Sequence, residues 1–149
     1  MSEAPIRVLF VCTGNSARSI MAEALLRHNG GDAFKVHSGG TEPRGINPLT
    51  IRTLEAAGLD ASWARSKSVT EFLGQQFDYV ITVCDEARQS CPVFPGVHET
   101  LHWGYEDPAE AQGTEEERLE VFRRVFIGLG QRIATFIPIA LRESTLSRS

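Results

Sequence analysis

Short apolar runs and helically spaced stretches alternate along the chain. Near-continuous apolar runs at 6–11 and 77–83 predict strands that are buried on both faces, as in a parallel sheet. Shorter segments at 34–37 and 99–103 predict two further strands. The chain is therefore expected to supply four strands, separated by loops and helices.

Capping residues mark the helices. A first helix is predicted over about 17–28, where a pair of glycines follows, and a second over 47–58, which starts at an Asn-Pro pair and ends at a glycine. Residues 68–71 and 114–117 both fit capping boxes. The second box opens a helix with apolar residues at helical spacing, and Pro138 is predicted to end or kink it.

Four segments lack a regular pattern. Residues 38–41 predict a turn, and 60–68 predict a loop. Residues 85–97 include two prolines, which resist regular structure. The polar tail at 142–149 is expected to fray.

This alternation predicts an α/β fold. Strands that alternate with helices form a parallel sheet with right-handed crossovers and helices on both faces, a three-layer arrangement. Four strands favour the flavodoxin-like order 2-1-3-4, in which ligands bind at the carboxyl ends of the strands. The length of 149 residues fits a single domain, 1–149, with a core at about 6–137.

Composition narrows the classes of partner. The net charge of −4 argues against nucleic acid as a general partner. The N-terminal residues have no basic or apolar leader, and the first apolar run is too short to span a membrane, so we expect a cytoplasmic protein. The chain has three cysteines, an odd number, which argues against a purely structural disulfide framework in that compartment.

The segment after the first strand carries the clearest chemistry. It reads Cys12-Thr-Gly-Asn-Ser-Ala-Arg-Ser19 and leads into the first helix. A short loop between a strand and a helix N-terminus binds anions through its backbone N–H groups. Cys12 beside that helix and Arg18 should have a depressed pKa and be largely thiolate at neutral pH. A strand-end cysteine is also common in cores, but the glycine and hydroxyl residues here favour a nucleophile in an anion-binding loop.

Two further cysteines follow the third strand. Cys84 lies just past it, so if the first and third strands are neighbours, Cys84 comes within disulfide reach of Cys12. Cys91 is seven residues further on, about 10 Å away along a helix, so a bond between Cys84 and Cys91 needs a segment that unwinds. A three-thiol relay and a pair of inert packing residues both remain open. A zinc site is less favoured, because the spacing is unlike that of zinc ligands.

Asp107 precedes a proline in a late loop. This pattern usually reflects turn chemistry, but transfer to a thiolate also needs a general acid for the departing oxygen. The histidines show no metal or triad pattern, and we interpret each as surface or hydrogen-bonded structure; they are His28, His37, His98 and His102.

Taken together, these motifs resemble arsenate reductases on the low-molecular-weight tyrosine phosphatase fold. The similarity covers about residues 6–137. It is carried by Cys12–Ser19, Met21-Ala22-Glu23, Ser38-Gly-Gly-Thr41, Phe77–Asp85, Cys91-Pro92 and His102-Trp-Gly-Tyr-Glu-Asp-Pro108. The loop motif alone is shared with the phosphatases, whereas the three cysteines and the Trp-Gly-x-x-Asp-Pro segment are more specific.

The resemblance implies a role for each site residue. Cys12 would attack arsenate, Asp107 would protonate the departing oxygen, and Ser19 would donate to the thiolate. Cys84 would then form a disulfide with Cys12, and Cys91 would move it outward as a Cys84–Cys91 disulfide for reduction by thioredoxin. The implied oxyanion-binding loop is Thr13, Gly14, Asn15, Ser16, Ala17 and Arg18, with Asn15 holding its shape. No bound cofactor or metal is expected, phosphate should compete with arsenate, and we expect a monomer.

Two departures and two alternatives accompany this resemblance. Many relatives have a further cysteine at Ala17. Potassium-binding members carry an acid where Lys67 aligns, so a tethered positive charge and no potassium dependence are expected here.

A tyrosine phosphatase is the main alternative, although Ala109 replaces the tyrosine that lines its aryl pocket; a non-catalytic arsenite sensor is another. The reductant stays open, since a glutathione, glutaredoxin or mycothiol route needs only Cys12 in some relatives.

Overall fold

A parallel sheet forms the centre of the fold. The computed structural model describes residues 4–94, 96–97 and 99–147. In this part of the chain the strands are β1 (Ile6–Cys12), β2 (Phe34–Gly40), β3 (Tyr79–Thr82) and β4 (Glu99–His102). They are parallel and lie in the order β2-β1-β3-β4, which confirms the predicted 2-1-3-4 order.

Helices connect these strands. The α-helices are α1 (Arg18–Gly30), α2 (Pro48–Ala56), α3 (Asp85–Ser90) and α4 (Glu115–Ser147). Short 3₁₀ turns lie at Gly31–Ala33, Val69–Phe72 and Pro108–Glu110. Thr114 and Glu117 form the predicted capping box, with each backbone N–H donating to the other side chain at 3.1 Å. Ser68 instead caps Thr70, and Glu71 pairs with Arg65, so the segment 68–71 is not a capping box.

Aromatic side chains cover both faces of the sheet. On one face Phe136 of α4 packs against Tyr79 and Trp103, with ring centroids 5.0 and 5.6 Å away. On the other face His37 packs against Phe72, with centroids 5.2 Å apart. Because successive side chains of a strand point to opposite faces, both faces of the sheet are packed, as the near-continuous apolar runs predict.

The predicted turn at 38–41 is wrong for its first three residues. β2 continues to Gly40, which lies opposite Cys12 in the sheet and donates its N–H to the Lys67 carbonyl at 2.8 Å. A Cβ on Gly40 would lie 2.6 Å from the Thr13 carbonyl oxygen. The glycine here serves close approach of two backbones rather than a change of chain direction.

α3 also differs from expectation. The segment 85–97 is predicted to resist regular structure, yet its first six residues form a helix. Asp85 and Glu86 lie in the first turn, where carboxylates stabilise a helix, and Asp85 pairs with His102 at 2.9 Å. The prolines follow the helix rather than interrupt it, and of them Pro95, like His98, lies outside the described residues.

α4 differs from expectation as well. It passes through Pro138 to Ser147, so neither the predicted stop nor the frayed tail occurs over 142–147; Arg148 and Ser149 lie outside the described residues. Ala140, beyond the proline, is fully buried, and the Tyr79 hydroxyl donates to Glu143 at 2.6 Å. These tertiary contacts outweigh the backbone hydrogen bond that a proline cannot make.

By length and composition α4 could also cross a membrane. The stretch Glu115–Thr145 contains a window with a mean hydropathy of 1.3. In this fold one face of the helix lies in the core, through Phe122, Val125, Leu129, Ile133, Phe136 and Ala140. A core helix passes the same test of length and composition, so the stretch gives little evidence for a membrane span.

Candidate active site

The loop between β1 and α1, which we call the oxyanion loop (residues 12–18), lies at the carboxyl edge of the sheet. Its carbonyl oxygens are turned towards the chain after β2. The backbone N–H groups of 41, 42, 44 and 47 donate to the carbonyls of 12, 13, 14 and 16 at 2.8–3.1 Å. Because carbonyl and N–H point in opposite directions across a trans peptide, this fixed orientation leaves loop N–H groups turned inward, as anion binding requires.

Asn15 holds the middle of the loop. Its φ of 45° is left-handed, a conformation in which asparagine is tolerated. The side chain is fully buried and donates to Ser19 Oγ at 2.8 Å and to Ser38 Oγ at 3.0 Å. It accepts from the backbone N–H of Lys67 at 2.9 Å. These bonds satisfy the amide and lock the turn.

The Cys12 sulfur lies at the floor of the loop. Ser19 Oγ is 2.8 Å away, and the Asn15 N–H donates to the sulfur at 3.2 Å. Either group can donate across the contact between Cys12 and Ser19, but when Cys12 is a thiolate only the Ser19 hydroxyl can donate.

Burial nevertheless raises the pKa of the Cys12 thiol, and this outweighs Ser19 and Arg18, both of which lower it. The predicted depressed pKa is therefore wrong. The helix terminus and guanidinium are present as expected, but Cys12 is only 2% exposed, and its thiolate would lose more hydration than they replace.

Arg18 and Asp107 meet at the mouth of the loop. One Arg18 nitrogen donates to the Tyr105 carbonyl at 2.9 Å, and the other lies 3.7 Å from Asp107 Oδ2. Asp107 also accepts from the Ala109 N–H at 3.0 Å, which fixes the turn that carries it. Together they border a cavity of about 50 Å³, lined by Cys12, Gly14, Ser16, Ala17, Arg18, Arg44, Asp107 and Ala109.

Cys84 lies beside the loop, just past the end of β3, the strand next to β1. It precedes α3, and Val11 and Thr82 are register partners just before the two cysteines. Thr13 Oγ1 is 3.3 Å from the Cys84 sulfur and donates to Glu86 Oε2 at 3.1 Å. The position of Cys84 agrees with the sequence prediction. The Thr13–Glu86 hydrogen bond was not predicted, because no spacing pattern indicates a contact between residues 73 positions apart.

Cys91 closes the opposite end of α3. It is half-buried, and burial raises the pKa of its thiol. Its backbone N–H donates to the Ala87 carbonyl at 2.8 Å, so the helix keeps it apart from Cys84. Cys91 borders a groove of about 450 Å³ that includes Val93, Phe94, Val97 and Leu101. All three cysteines are free thiols, and the described part of the chain holds no cluster of three side chains suited to a metal ion.

A charged network supports the loop from below, centred on Lys67. Its ammonium lies 4.0 Å from Glu23, 3.4 Å from Ser38 Oγ and 3.5 Å from Asn15 Oδ1, and it donates to the Arg65 carbonyl at 2.8 Å. Ser38 donates to Glu23 at 2.6 Å. Burial raises the pKa of Glu23 and lowers that of Lys67. Sequence reasoning singled out Lys67 but not its partners Glu23 and Ser38.

Comparison with known proteins identifies the fold family. The family model described as low molecular weight phosphotyrosine protein phosphatase matches residues 7–145. The chain belongs to this family. Curated relatives include the arsenate reductases of Halalkalibacterium halodurans and Bacillus subtilis, which are 43% and 40% identical over 129 residues, 87% of this chain and 93% of each relative.

Solved structures agree with this family assignment. An arsenate reductase in a phosphate-binding state matches with a TM-score of 0.74 and 30% identity, over 91% of this chain and 98% of its own. A thioredoxin-dependent arsenate reductase from Corynebacterium glutamicum matches with a TM-score of 0.64 and 31% identity, over 91% of this chain and 65% of its own. A low molecular weight tyrosine phosphatase from T. tengcongensis matches with a TM-score of 0.74 and 25% identity, over 89% of this chain and 98% of its own. The resemblance to arsenate reductases on this phosphatase fold is thus confirmed.

The Ser19 hydroxyl gives a direct test of what sets the state of Cys12. Ser19→Ala removes a hydrogen bond that lowers the pKa of Cys12, so this pKa should rise further. The rate of alkylation by iodoacetamide, followed against pH, reports the change. The matched control is Ser62→Ala, which removes an exposed hydroxyl bonded to Asp60 and should leave the profile in place. An unshifted profile in Ser19→Ala would show that Ser19 does not stabilise the thiolate.

Proposed function

We propose that this protein reduces arsenate to arsenite through a relay of three thiols, with Cys12, Cys84 and Cys91 acting in turn. One observation carries the proposal. A buried thiol sits in an anion-binding loop, and a second thiol, linked to that loop through Thr13, follows the adjacent strand. Hydrolysis of a phosphate ester needs only the first thiol, whereas reduction of As(V) to As(III) needs two electrons.

In the first step, arsenate binds in the oxyanion loop and Cys12 attacks arsenic. Because burial raises the pKa of Cys12, an oxygen of the bound dianion accepts the thiol proton as the S–As bond forms. One As–O bond breaks, and the departing oxygen takes a proton from the carboxylic acid of Asp107 and leaves as water. Arg18 and the loop N–H groups stabilise the negative charge on the remaining oxygens.

In the second step, Cys84 attacks the sulfur of Cys12. The S–As bond breaks, its electron pair stays with arsenic, and the proton of the Cys84 thiol passes to an arsenic-bound oxygen, so that arsenite leaves as the Cys12–Cys84 disulfide forms. Thr13 supports this step, since its hydroxyl contacts the Cys84 sulfur and donates to Glu86. That contact fixes the sulfur against the loop in which the adduct would form.

In the third step, Cys91 attacks the sulfur of Cys84. The Cys12–Cys84 bond breaks, the Cys84–Cys91 bond forms, and the departing Cys12 sulfur takes up the proton that Cys91 loses. The two cysteines flank α3 and are seven residues apart, a spacing of about 10 Å along a helix, so the helix must unwind. α3 has only six residues and is held by few long-range bonds, the Asp85–His102 and Thr13–Glu86 pairs among them. Helices this short depend on such contacts for stability, so loss of these two pairs would free the segment to open.

Thioredoxin is the proposed reductant of the final Cys84–Cys91 disulfide. Val93, two residues after Cys91, is 90% exposed beside the Cys91 groove and is therefore accessible for contact with thioredoxin. We further propose a cytoplasmic monomer without a bound cofactor, with phosphate as a competitor of arsenate.

A weak phosphatase side activity follows from the same loop. Cys12, Arg18 and Asp107 are the groups that a phosphoenzyme mechanism uses. Ala109, beside Asp107 in the cavity, offers a methyl group where an aryl pocket would need an aromatic wall. Small aryl phosphates should therefore be hydrolysed slowly.

Replacement of either downstream cysteine tests the relay. Cys84→Ser and Cys91→Ser should each reduce arsenate-dependent oxidation of NADPH, coupled through thioredoxin and its reductase, by at least about a hundredfold, since each lacks a sulfur that must form a disulfide. Hydrolysis of p-nitrophenyl phosphate serves as the internal control and should stay near its original rate in both. Full arsenate turnover in Cys91→Ser would rule out the third step.

Replacement of Lys67 tests the charged network. Lys67→Asp removes the tethered cation beside Glu23, so potassium should then raise both the melting temperature and kcat/KM for arsenate. The unaltered protein should be indifferent to the ion. Lys35→Asp, at an exposed lysine, is the matched control, and choline chloride keeps the ionic strength constant. The same response to potassium in both variants would contradict the expectation.

A further inference from the structure

Arg44 lies at the mouth of the oxyanion cavity, and neither the motifs nor the proposed relay give it a role. Its backbone N–H donates to the Gly14 carbonyl at 3.0 Å. Its side chain runs across the loop, since a Cβ built on Gly14 would lie 3.4 Å from Arg44 Cδ. It lines the same cavity as Cys12 and Asp107, so the stem of a second arginine borders the anion site while its guanidinium is paired with Glu42.

The Arg18 guanidinium already has two partners within the protein. Arg18 donates to the Tyr105 carbonyl at 2.9 Å and lies 3.7 Å from Asp107. Arsenate and phosphate carry between one and two negative charges near neutral pH, as phosphate groups with a second pKa near 6 do. A buried dianion therefore needs more positive charge than Arg18 and the helix N-terminus supply.

The Arg44 guanidinium is held only weakly by its ion pair with Glu42. Its ion pair with Glu42 spans 3.5 Å between side chains that are 57% and 73% exposed. Exposed pairs of this kind contribute about 0–1 kcal/mol, so an anion in the cavity can draw the guanidinium away from Glu42 at little cost.

We propose that Arg44 is a second oxyanion-binding residue, which closes over a free tetrahedral dianion in the loop and favours it over phosphate esters. The inference rests on the proposed function for its biological substrate, arsenate, but the binding event itself requires no turnover. An ester carries its organic group on the oxygen that faces the mouth. That group would displace the Arg44 side chain and lose its contact.

The size of the cavity supports this selectivity. Its volume of about 50 Å³ is well below the roughly 300 Å³ or more of pockets that enclose drug-sized molecules. An aryl group attached to a bound phosphate must therefore project outward, past Arg44 and Ala109. Free arsenate or phosphate leaves that space to the guanidinium.

Binding of inorganic phosphate tests Arg44 without the relay. Phosphate protects Cys12 from iodoacetamide, and the protection curve gives a Kd at constant ionic strength. Arg44→Ala and Arg44→Gln should each raise this Kd about tenfold, the typical effect of losing one charge-assisted contact, whereas Arg44→Lys should keep part of the affinity. Arg52→Ala is the matched control, because Arg52 is similarly exposed and also ion-paired, with Glu115.

Two comparisons separate direct binding from a structural effect. The affinity for phenyl phosphate in the same assay should fall by less than about threefold in Arg44→Ala, since the ester already excludes the guanidinium. Glu42→Gln removes the competing carboxylate and should tighten phosphate binding, an effect that vanishes in the Arg44→Ala background. In arsenate turnover, Arg44→Ala should raise KM with little change in kcat.

The inference is overturned if phosphate binds Arg44→Ala within about twofold of the unaltered protein, if phenyl phosphate loses as much affinity as phosphate, or if Arg52→Ala has the same effect. Melting temperatures confirm that each variant is folded. Absence of arsenate reduction in the unaltered protein would contradict the proposed function, but it would leave the phosphate comparison intact.

Discussion

The orientation of one loop's peptide groups is the constraint on which the site depends. The carbonyls of the oxyanion loop accept from the segment that follows β2, so the loop N–H groups are turned inward. That segment can reach the loop only because β2 ends in glycines that pass close beneath it; a Cβ on Gly40 would lie 2.6 Å from the Thr13 carbonyl oxygen. The register of the sheet, the glycines at the end of β2 and the geometry of the loop therefore depend on one another.

The same burial that shapes the loop sets its chemistry. A dry site strengthens each hydrogen bond to an anion, but it also raises the pKa of the Cys12 thiol. Ser19 and Arg18 offset part of that effect, and a bound dianion would supply the rest by accepting the proton. Beneath the loop, Glu23 pairs with Arg27 at 2.7 Å and lies 4.0 Å from the Lys67 ammonium, so the buried carboxylate does not face the anion site uncompensated.

Much of the fold could be predicted because local sequence patterns indicate its strands and helices. Near-continuous apolar runs gave the buried parallel strands, and the order of the sheet placed Cys12 and Cys84 at one edge. The errors arose where tertiary contacts outweigh local preference. Glycines at 39 and 40 continue a strand, and α4 passes Pro138 because residues beyond it are anchored to the core.

The site was predictable in its motif and less so in its partners. The loop spacing located Cys12 and Arg18, and a family resemblance singled out Asp107. The contacts of Thr13 with Glu86 and of Arg44 with Gly14 join segments far apart in sequence. No periodic pattern in the sequence predicts such contacts. The net effect of desolvation on the pKa of Cys12 could be judged only once its burial in the fold was known.

The central claim, that one thiol captures the oxyanion and two others carry away the oxidation, is tested most directly by a single turnover. One equivalent of arsenate is added to fully reduced protein without thioredoxin, and the products are quenched with alkylating agent and mapped by peptide mass. The account predicts one equivalent of arsenite, a Cys84–Cys91 disulfide and an alkylated Cys12. Arsenite formed with all three cysteines still alkylated as free thiols, or no arsenite at all, would contradict it.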